Sequence, residues 1–335
     1  MASPIRKFFT ESLMEKIRNI VKNLGGNKTA KEKRTARIVL LFLLGGTVLL
    51  TTLAISYREV PKLLKSLTEP ATVVSQKYNL STPIATPTPK FEEERQAVEQ
   101  IIEPLRGTYG IYFRDLEKGD AFSINSLEKM TAASLIKMPT LLTLYREADA
   151  GRINLDTIYK LQAADRRGGA GSLIGRPEGS EVSYREMAKL MGEQSDNTAF
   201  NIVANKILGG EKIQNTINLL GMRQTSFNDN ITTPEDMGLL FRKLLQEKVV
   251  TDKSRDEILS FITNTIWETR IPAGIPKGIK VSHKIGSDIG VVSDAGIVFA
   301  KKPFILVIMS QNANEIEAGK ALPEIAKKIY EMWEK

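Results

Sequence analysis

Ser134-Leu135-Ile136-Lys137, followed by Met138-Pro139-Thr140-Leu141-Leu142, places a serine and a lysine three positions apart at the head of an apolar run. The run continues through Leu144 and Tyr145 at helical spacing, so the stretch reads as a helix start, with Pro139 tolerated only in the first turn. Serine and lysine at that spacing face the same way. The free N–H groups of a helix N-terminus stabilise developing negative charge beside the serine. A lysine kept from water and near another cation loses affinity for its proton and can deprotonate a hydroxyl. Taken alone the pattern is common, and an exposed helix start explains it equally well.

Two further stretches are just as ordinary by themselves. Ser195-Asp196-Asn197-Thr198-Ala199 follows the helical run SYREMAKLM and suits a loop and N-cap. Lys284-Ile285-Gly286-Ser287 stands at the start of a strand-like stretch.

Composition narrows the chemistry. The chain has no cysteine and one histidine, His283, which removes disulfides, thiolate nucleophiles and His-rich metal sites. No cofactor or metal is expected, and a hydrolytic serine must draw on lysine or a carboxylate as base. The net charge of +8 is a property of one end: residues 1–37 hold 10 Lys/Arg against 3 Asp/Glu, and the other 298 hold 37 against 36. A nucleic-acid role for the main body gains nothing from that balance.

The first 90 residues read as three segments. Residues 1–37 form a basic cytoplasmic head, in which Phe9, Leu13, Ile17, Ile20, Val21 and Leu24 recur at helical spacing. Residues 38–57, IVLLFLLGGTVLLTTLAISY, are 20 residues without a charge, enough to cross a bilayer as a single transmembrane helix. The positive flank puts the N-terminus in the cytoplasm and the remainder outside it. Ala54 and Ser56 also offer a cleavage site, but head and apolar run are both long for a signal peptide. Residues 58–90 carry Pro61, Pro70, Pro83, Pro87 and Pro89 among Ser and Thr and read as an extended stalk.

Residues 91–335 then form the folded domain. A helix at about 91–105 leads into GTYGIYFRDL and AFSIN, joined by the Glu117-Lys118-Gly119-Asp120 turn. A helical middle spans about 135–245. GIVFA and FILVIMS follow Lys284, and a helix closes the chain at Trp333. Strands from both chain ends with helices between them predict an α+β fold: one antiparallel β-sheet flanked by terminal helices, with an all-helical lobe beside it.

The order Ser134-x-x-Lys137, Ser195-Asp196-Asn197, Lys284-x-Gly286 resembles the class A β-lactamases and penicillin-binding serine hydrolases. Gly171-Ser172-Leu173 with Gly179, Leu220-Gly221-Met222, and Thr232-Thr233-Pro234 with Met237 add to the likeness, which covers nearly all of 91–335. The resemblance implies Ser134 as nucleophile, Lys137 as base or relay, and Ser195 passing the proton to the leaving nitrogen beside Lys284. It implies that Asn197 holds the substrate's amide and that the backbone N–H groups of Ser134 and Ser287 form an oxyanion hole. The substrate is then a β-lactam or a peptidoglycan peptide, and the product an acyl-enzyme on Ser134 in the extracytoplasmic space of a bacterial membrane. His283 points to the other side of its strand and reads as structural.

Two departures weaken rapid lactam hydrolysis. Ile285 stands where the family usually has Thr or Ser, and it cannot donate the hydrogen bond that helps hold a substrate carboxylate; Ser287 can substitute in part if an unusual backbone aims it. Only Phe227-Asn228-Asp229-Asn230-Ile231 separates Ser226 from Thr232, where class A enzymes have a long omega loop with the glutamate that activates water. Asp229 is the one carboxylate there and reads as a turn residue. A D-alanyl-D-alanine carboxypeptidase, and a non-catalytic wall-binding or sensor module, stay open as alternatives. The oligomeric state is not legible.

Overall fold

The computed structural model describes residues 91–335. The basic head expected at 1–37, the transmembrane helix expected at 38–57 and the stalk expected at 58–90 lie outside the described residues. Among the described residues no helix is long and apolar enough to cross a membrane.

In chain order the elements are α1 (Glu92–Ile102), β1 (Thr108–Asp115), β2 (Ala121–Ile124), β3 (Met130–Thr131), a 3-10 turn (Ala133–Ile136) and α2 (Lys137–Asp149). Then come β4 (Ile158–Lys160), β5 (Glu181–Ser183), α3 (Tyr184–Glu193), α4 (Asn197–Ile202), a π turn (Val203–Leu208) and α5 (Gly210–Leu219). The chain continues through β6 (Ile231–Thr232), α6 (Pro234–Gln246), α7 (Asp252–Phe261), β7 (Val281–Asp288), β8 (Val291–Val298), β9 (Phe304–Gln311) and α8 (Glu315–Trp333).

β1, β2, β7, β8 and β9 form one antiparallel sheet in the order β2-β1-β9-β8-β7. The two strand groups at the chain ends therefore share a sheet. β9 shows why FILVIMS is apolar throughout. Its odd and even residues face opposite ways: Phe304, Leu306 and Ile308 pack with the terminal helices, while Ile305, Val307 and Met309 pack with the helical lobe. Burial on both faces leaves no solvent side on which a polar residue is needed. Beneath the terminal helices Phe113 stacks on Phe122 at 5.2 Å and meets Trp333 edge-on at 5.3 Å. Each such side chain contributes about 1.5–3 kcal/mol by leaving water.

The helical middle is less continuous than its pattern predicts. Two short ribbons, β4–β5 and β3–β6, interrupt it. Thr232-Thr233-Pro234 is a helix start: Thr233 Oγ1 accepts from Asp236 N at 3.1 Å, and Pro234 occupies the first turn of α6. β7 also begins earlier than expected, so Lys284 lies mid-strand rather than at its start.

Candidate active site

β7 is an edge strand of the sheet, and the 3-10 turn at Ala133–Ile136 packs directly against it. That contact fixes Gly286. A Cβ there would sit 2.9 Å from Ala132 O and 3.1 Å from Leu135 Cγ, closer than a side chain can approach without moving the turn. The turn is held from its other side as well, because Ala132 N donates to Asn230 O at 2.8 Å and β3 pairs with β6. Ala133, next to Ser134, has φ +47°, a left-handed conformation that costs a non-glycine residue on the order of 1–2 kcal/mol. Packing on both sides maintains it.

Ser134 follows within the turn, and Lys137 opens α2 with Pro139 in its first turn. Lys137 is 2% exposed. Its Nζ lies 3.0 Å from Ser134 Oγ, 2.6 Å from Ser195 O, 3.1 Å from Ser195 Oγ and 2.7 Å from Asn197 Oδ1. Burial lowers its pKa to about 7, against the charge of Asp196, which raises it. A neutral amine suits these partners. Its two N–H groups satisfy the two carbonyl oxygens, and its lone pair is left for a hydroxyl proton.

Asp196 serves the local fold. It is the N-cap of α4, accepts from Ala199 N at 2.8 Å, and receives Leu173 N at 2.8 Å through its other oxygen. The Ser-Asp-Asn stretch is thus a helix start that also delivers Ser195 and Asn197. Ser195 adopts φ +56°, and that aims its side chain between two lysines. Lys284 Nζ, 1% exposed as a residue, donates to Ser195 Oγ at 2.9 Å and to Ile285 O at 3.0 Å. Burial, and after it the neighbouring Lys137, holds the Lys284 pKa well below the usual lysine range.

The pocket over these groups has a volume of about 450 Å³. Ser134, Lys137, Asn197 and Ser287 line it together with Phe200, Phe227, Asn230 and Asp288. Ser195 and Lys284 lie buried behind the lining residues, Ser195 Oγ 3.1 Å from Lys137 Nζ and accepting from Lys284 Nζ at 2.9 Å. All six residues singled out from sequence therefore converge. Ser287 is exposed at the pocket, where Arg270 Nη2 donates to its Oγ. It sits in regular strand β7 with no positive φ, and the edge position of the strand suffices to expose it.

Sequence reasoning missed Phe200, Phe227, Asn230 and Arg270. The Phe200 and Phe227 rings are 6.3 Å apart and give the pocket an apolar wall, with Lys137 Nζ 5.5 Å from the Phe200 ring. Phe200 stands one turn beyond Asn197 on the same helix, a signal that could have been followed. Arg270 had none. Its Nη1 donates to Gly286 O at 2.8 Å and to Ser293 O, and its Nη2 donates to Ser287 Oγ. Asp229, the one carboxylate of the short loop, is exposed and spends its oxygen on Ser226 Oγ at 2.6 Å, as a turn residue does. Ile285 is buried in the strand. His283 is buried too, bonded to Asp294 and Glu268. Among the described residues no group of His, Cys, Asp and Glu could hold a metal ion.

A family model described as the beta-lactamase enzyme family matches residues 91–333. The chain belongs to the beta-lactamase enzyme family. It is a class A β-lactamase-like serine hydrolase. Among relatives of this family, beta-lactamase CARB-3 of Pseudomonas aeruginosa is 20% identical over 264 residues, spanning 73% of this chain and 91% of that one. The D-alanyl-D-alanine carboxypeptidase DacF of Bacillus subtilis (strain 168) is 28% identical over 144 residues, 39% of this chain and 36% of that one. Among solved structures, that of PBP-A has a TM-score of 0.68 at 27% identity, covering 72% of this chain and 96% of that one. PBP-A shares the α+β architecture described above.

Proposed function

We propose that the protein is a membrane-anchored, extracytoplasmic serine hydrolase that forms a long-lived acyl-enzyme on Ser134 with β-lactams or with peptidoglycan peptides. The observation that carries this reading is the 3.0 Å contact between Lys137 Nζ and Ser134 Oγ, with a lone pair of the buried amine free for the hydroxyl proton. The anchor is inferred from the uncharged run at 38–57 and the basic residues before it.

In the reaction, Ser134 Oγ attacks the carbonyl carbon and its proton passes to Lys137 Nζ. The tetrahedral oxygen is held by the backbone N–H groups of Ser134 and Ser287. The C–N bond then breaks. Ser195 Oγ donates its proton to the departing nitrogen and is reprotonated from Lys137, to which it lies 3.1 Å away. Asn197 Nδ2, bonded to Gly168 O at 2.8 Å, keeps the amide oriented at the pocket wall toward the substrate's own amide. Arg270 and Ser287 offer cationic and hydroxyl donors at the pocket mouth for the substrate carboxylate, in place of the hydroxyl that Ile285 lacks.

Release of the acyl group needs an activated water. The pocket has Phe227 and Asn230 from the short loop and no glutamate, and its one carboxylate, Asp288, accepts from Ile289 N at the far turn. Slow deacylation follows. PBP-A has been solved as an acyl-enzyme complex of a mutant with penicillin G, which accords with stable acylation in a similar fold. Intact-protein mass spectrometry after penicillin exposure tests the reading. A persistent adduct that is lost in Ser134→Ala supports it, a transient adduct indicates a lactamase, and none overturns acylation by penicillins.

The partial similarity to DacF favours a second reading, a D-alanyl-D-alanine carboxypeptidase. Release of D-alanine from a peptide ending in D-alanyl-D-alanine distinguishes it. A wall-binding sensor without turnover is the outcome if ligand binds equally well to Ser134→Ala.

A further inference from the structure

Arg270 lies in the turn between α7 and β7, and the residues on either side of it are tied to the sheet by one histidine and its partners. Ile271 N donates to Asp294 Oδ2 at 3.0 Å. Glu268 Oε1 stands 3.2 Å from His283 Nε2. Between them His283 Nδ1 lies 2.8 Å from Asp294 Oδ1. His283 is on β7 and Asp294 on β8, while Glu268 belongs to the turn itself, so a single imidazole links two strands to the segment that carries Arg270.

Both ring nitrogens face carboxylate oxygens. An imidazole can donate from both only when it is doubly protonated. Deprotonation at either nitrogen sets a lone pair against a carboxylate lone pair and breaks the link on that side. Every charged group packed around the ring bears on this. Asp294 from β8 and Glu268 from the turn favour the cation, while Arg270 and Lys284 both interact with Asp294. Thr265 Oγ1, 3.4 Å from Nε2, donates to Glu268 Oε1 at 3.0 Å and helps hold that carboxylate in place.

We propose that His283, as an imidazolium bridging Asp294 and Glu268, is a positioning residue that fixes the 265–271 turn so that Arg270 reaches Ser287 at the pocket mouth and meets the substrate carboxylate. The proposal rests on the reading of the Ser134 pocket given above. It assigns to the chain's one histidine a part in choosing substrates that bear an anionic group. Burial opposes the charge on His283, but Asp294 and Glu268 outweigh it and raise its pKa to about 9. The link therefore holds at neutral pH and opens only in alkaline solution.

The test uses the full chain and two acylating reagents, a penicillin with its carboxylate and a neutral activated ester without one. In His283→Gln the acylation rate with penicillin falls about 10-fold, the size of one lost charge-assisted contact, while the ester rate is little changed. Arg270→Ala gives the same split, and the double variant adds nothing to it. In the unsubstituted chain the penicillin-to-ester ratio drops as pH passes about 9, and His283→Gln lacks that step. An equal fall with both reagents, or additive effects in the double variant, overturns the proposal. Glu268→Gln, on a residue whose side chain is 41% exposed, repeats the test should His283→Gln fail to fold.

A second measurement does not depend on turnover. Labelling histidine with 15N reports one imidazole, because the chain has only one. Two protonated ring nitrogens at neutral pH, and slower exchange of the Arg270 guanidinium protons than in Glu268→Gln, are expected. A neutral ring, or unchanged exchange, overturns the positioning role. If neither reagent acylates the unsubstituted chain, the functional reading fails on its own, and the ring and exchange measurements still decide whether His283 holds Arg270.

Discussion

Lys137 Nζ stands 3.0 Å from Ser134 Oγ, and the shortest contacts of the same nitrogen, 2.6 and 2.7 Å, go to the carbonyl oxygens of Ser195 and Asn197. Carbonyls accept and never donate, so they claim the amine's hydrogens and turn its lone pair toward the serine. The base is aimed before any substrate arrives.

The first prediction concerns that base. Because burial lowers the Lys137 pKa to about 7, the acylation rate should rise with pH through about 7 and level off until the His283 link opens near pH about 9, where acylation by a carboxylate-bearing lactam falls again. Lys137→Met should lower acylation by roughly 10²–10⁴-fold. Stopped-flow acylation by a chromogenic lactam across pH measures both. A rate flat from pH about 6 to about 8 would exclude Lys137 as the titrating base.

Ile285 gives a two-sided prediction. Ile285→Thr restores a hydroxyl at the position where the family usually has one, and a charge-assisted hydrogen bond is worth about 1.5–3 kcal/mol. Acylation by carboxylate-bearing lactams should rise about 10-fold. Ile285 is buried, so the same change places a polar group in an apolar setting and should lower the unfolding midpoint. Kinetics and thermal denaturation on one sample check both directions.

Much of this was legible in the sequence, for a physical reason. Ser134, Lys137, Ser195, Asn197, Lys284 and Ser287 carry chemistry in their side chains, and the elements bearing them are set by patterns readable at short range: the apolar period of α2, the cap at Asp196, the alternation on β7. The run Phe304–Ser310 announced a strand, while the burial of both its faces came only with the layers that pack on either side of the sheet. Arg270, Glu268 and Asp294 were invisible because their meeting at His283 depends on how one loop folds onto two strands. The β3–β6 ribbon pairs two residues with two, too few to show a period, yet it ties the short loop to the turn bearing Ser134.

That loop supplies a third prediction. Asn230 lines the pocket at φ +53°, a left-handed conformation that Asn and Asp tolerate better than other side chains. Asn230→Asp keeps the shape and adds a carboxylate where water can reach the acyl carbonyl. The lifetime of the penicillin adduct should shorten by ~10-fold or more if the new group acts as a general base. Time-resolved intact mass spectrometry gives the answer, and an unchanged lifetime would remove Asn230 from the water's path.

Gly286 tests the contact between strand and nucleophile. Its missing Cβ leaves room for Ala132 O, and a methyl there would come within 2.9 Å. Gly286→Ala should push β7 away from the 3-10 turn, separating Lys284 from Ser195 and the Ser287 N–H from the oxyanion. Acylation should fall by about 10²-fold or more, the scale of losing an oxyanion donor. The unfolding midpoint should drop by only a few degrees, since the rest of the sheet is untouched. A variant that loses stability but acylates normally would show that the approach matters for packing alone.

The last prediction follows from the sign of one titration. His283 has a folded-state pKa of about 9, above the ordinary histidine value of 6.5, so the native state holds its proton more tightly than the unfolded chain does. The stabilisation is fully present below pH about 6.5, declines as pH rises, and is gone above about 9. A shift of that size is worth on the order of 3 kcal/mol. Urea midpoints should therefore fall between those two pH values in the unsubstituted chain. In His283→Gln the fall should be absent, because glutamine has no proton to lose, and the variant's midpoint in acid should lie below that of the unsubstituted chain. A midpoint that declines equally in both proteins would assign the alkaline loss to other groups and leave His283 without a part in it.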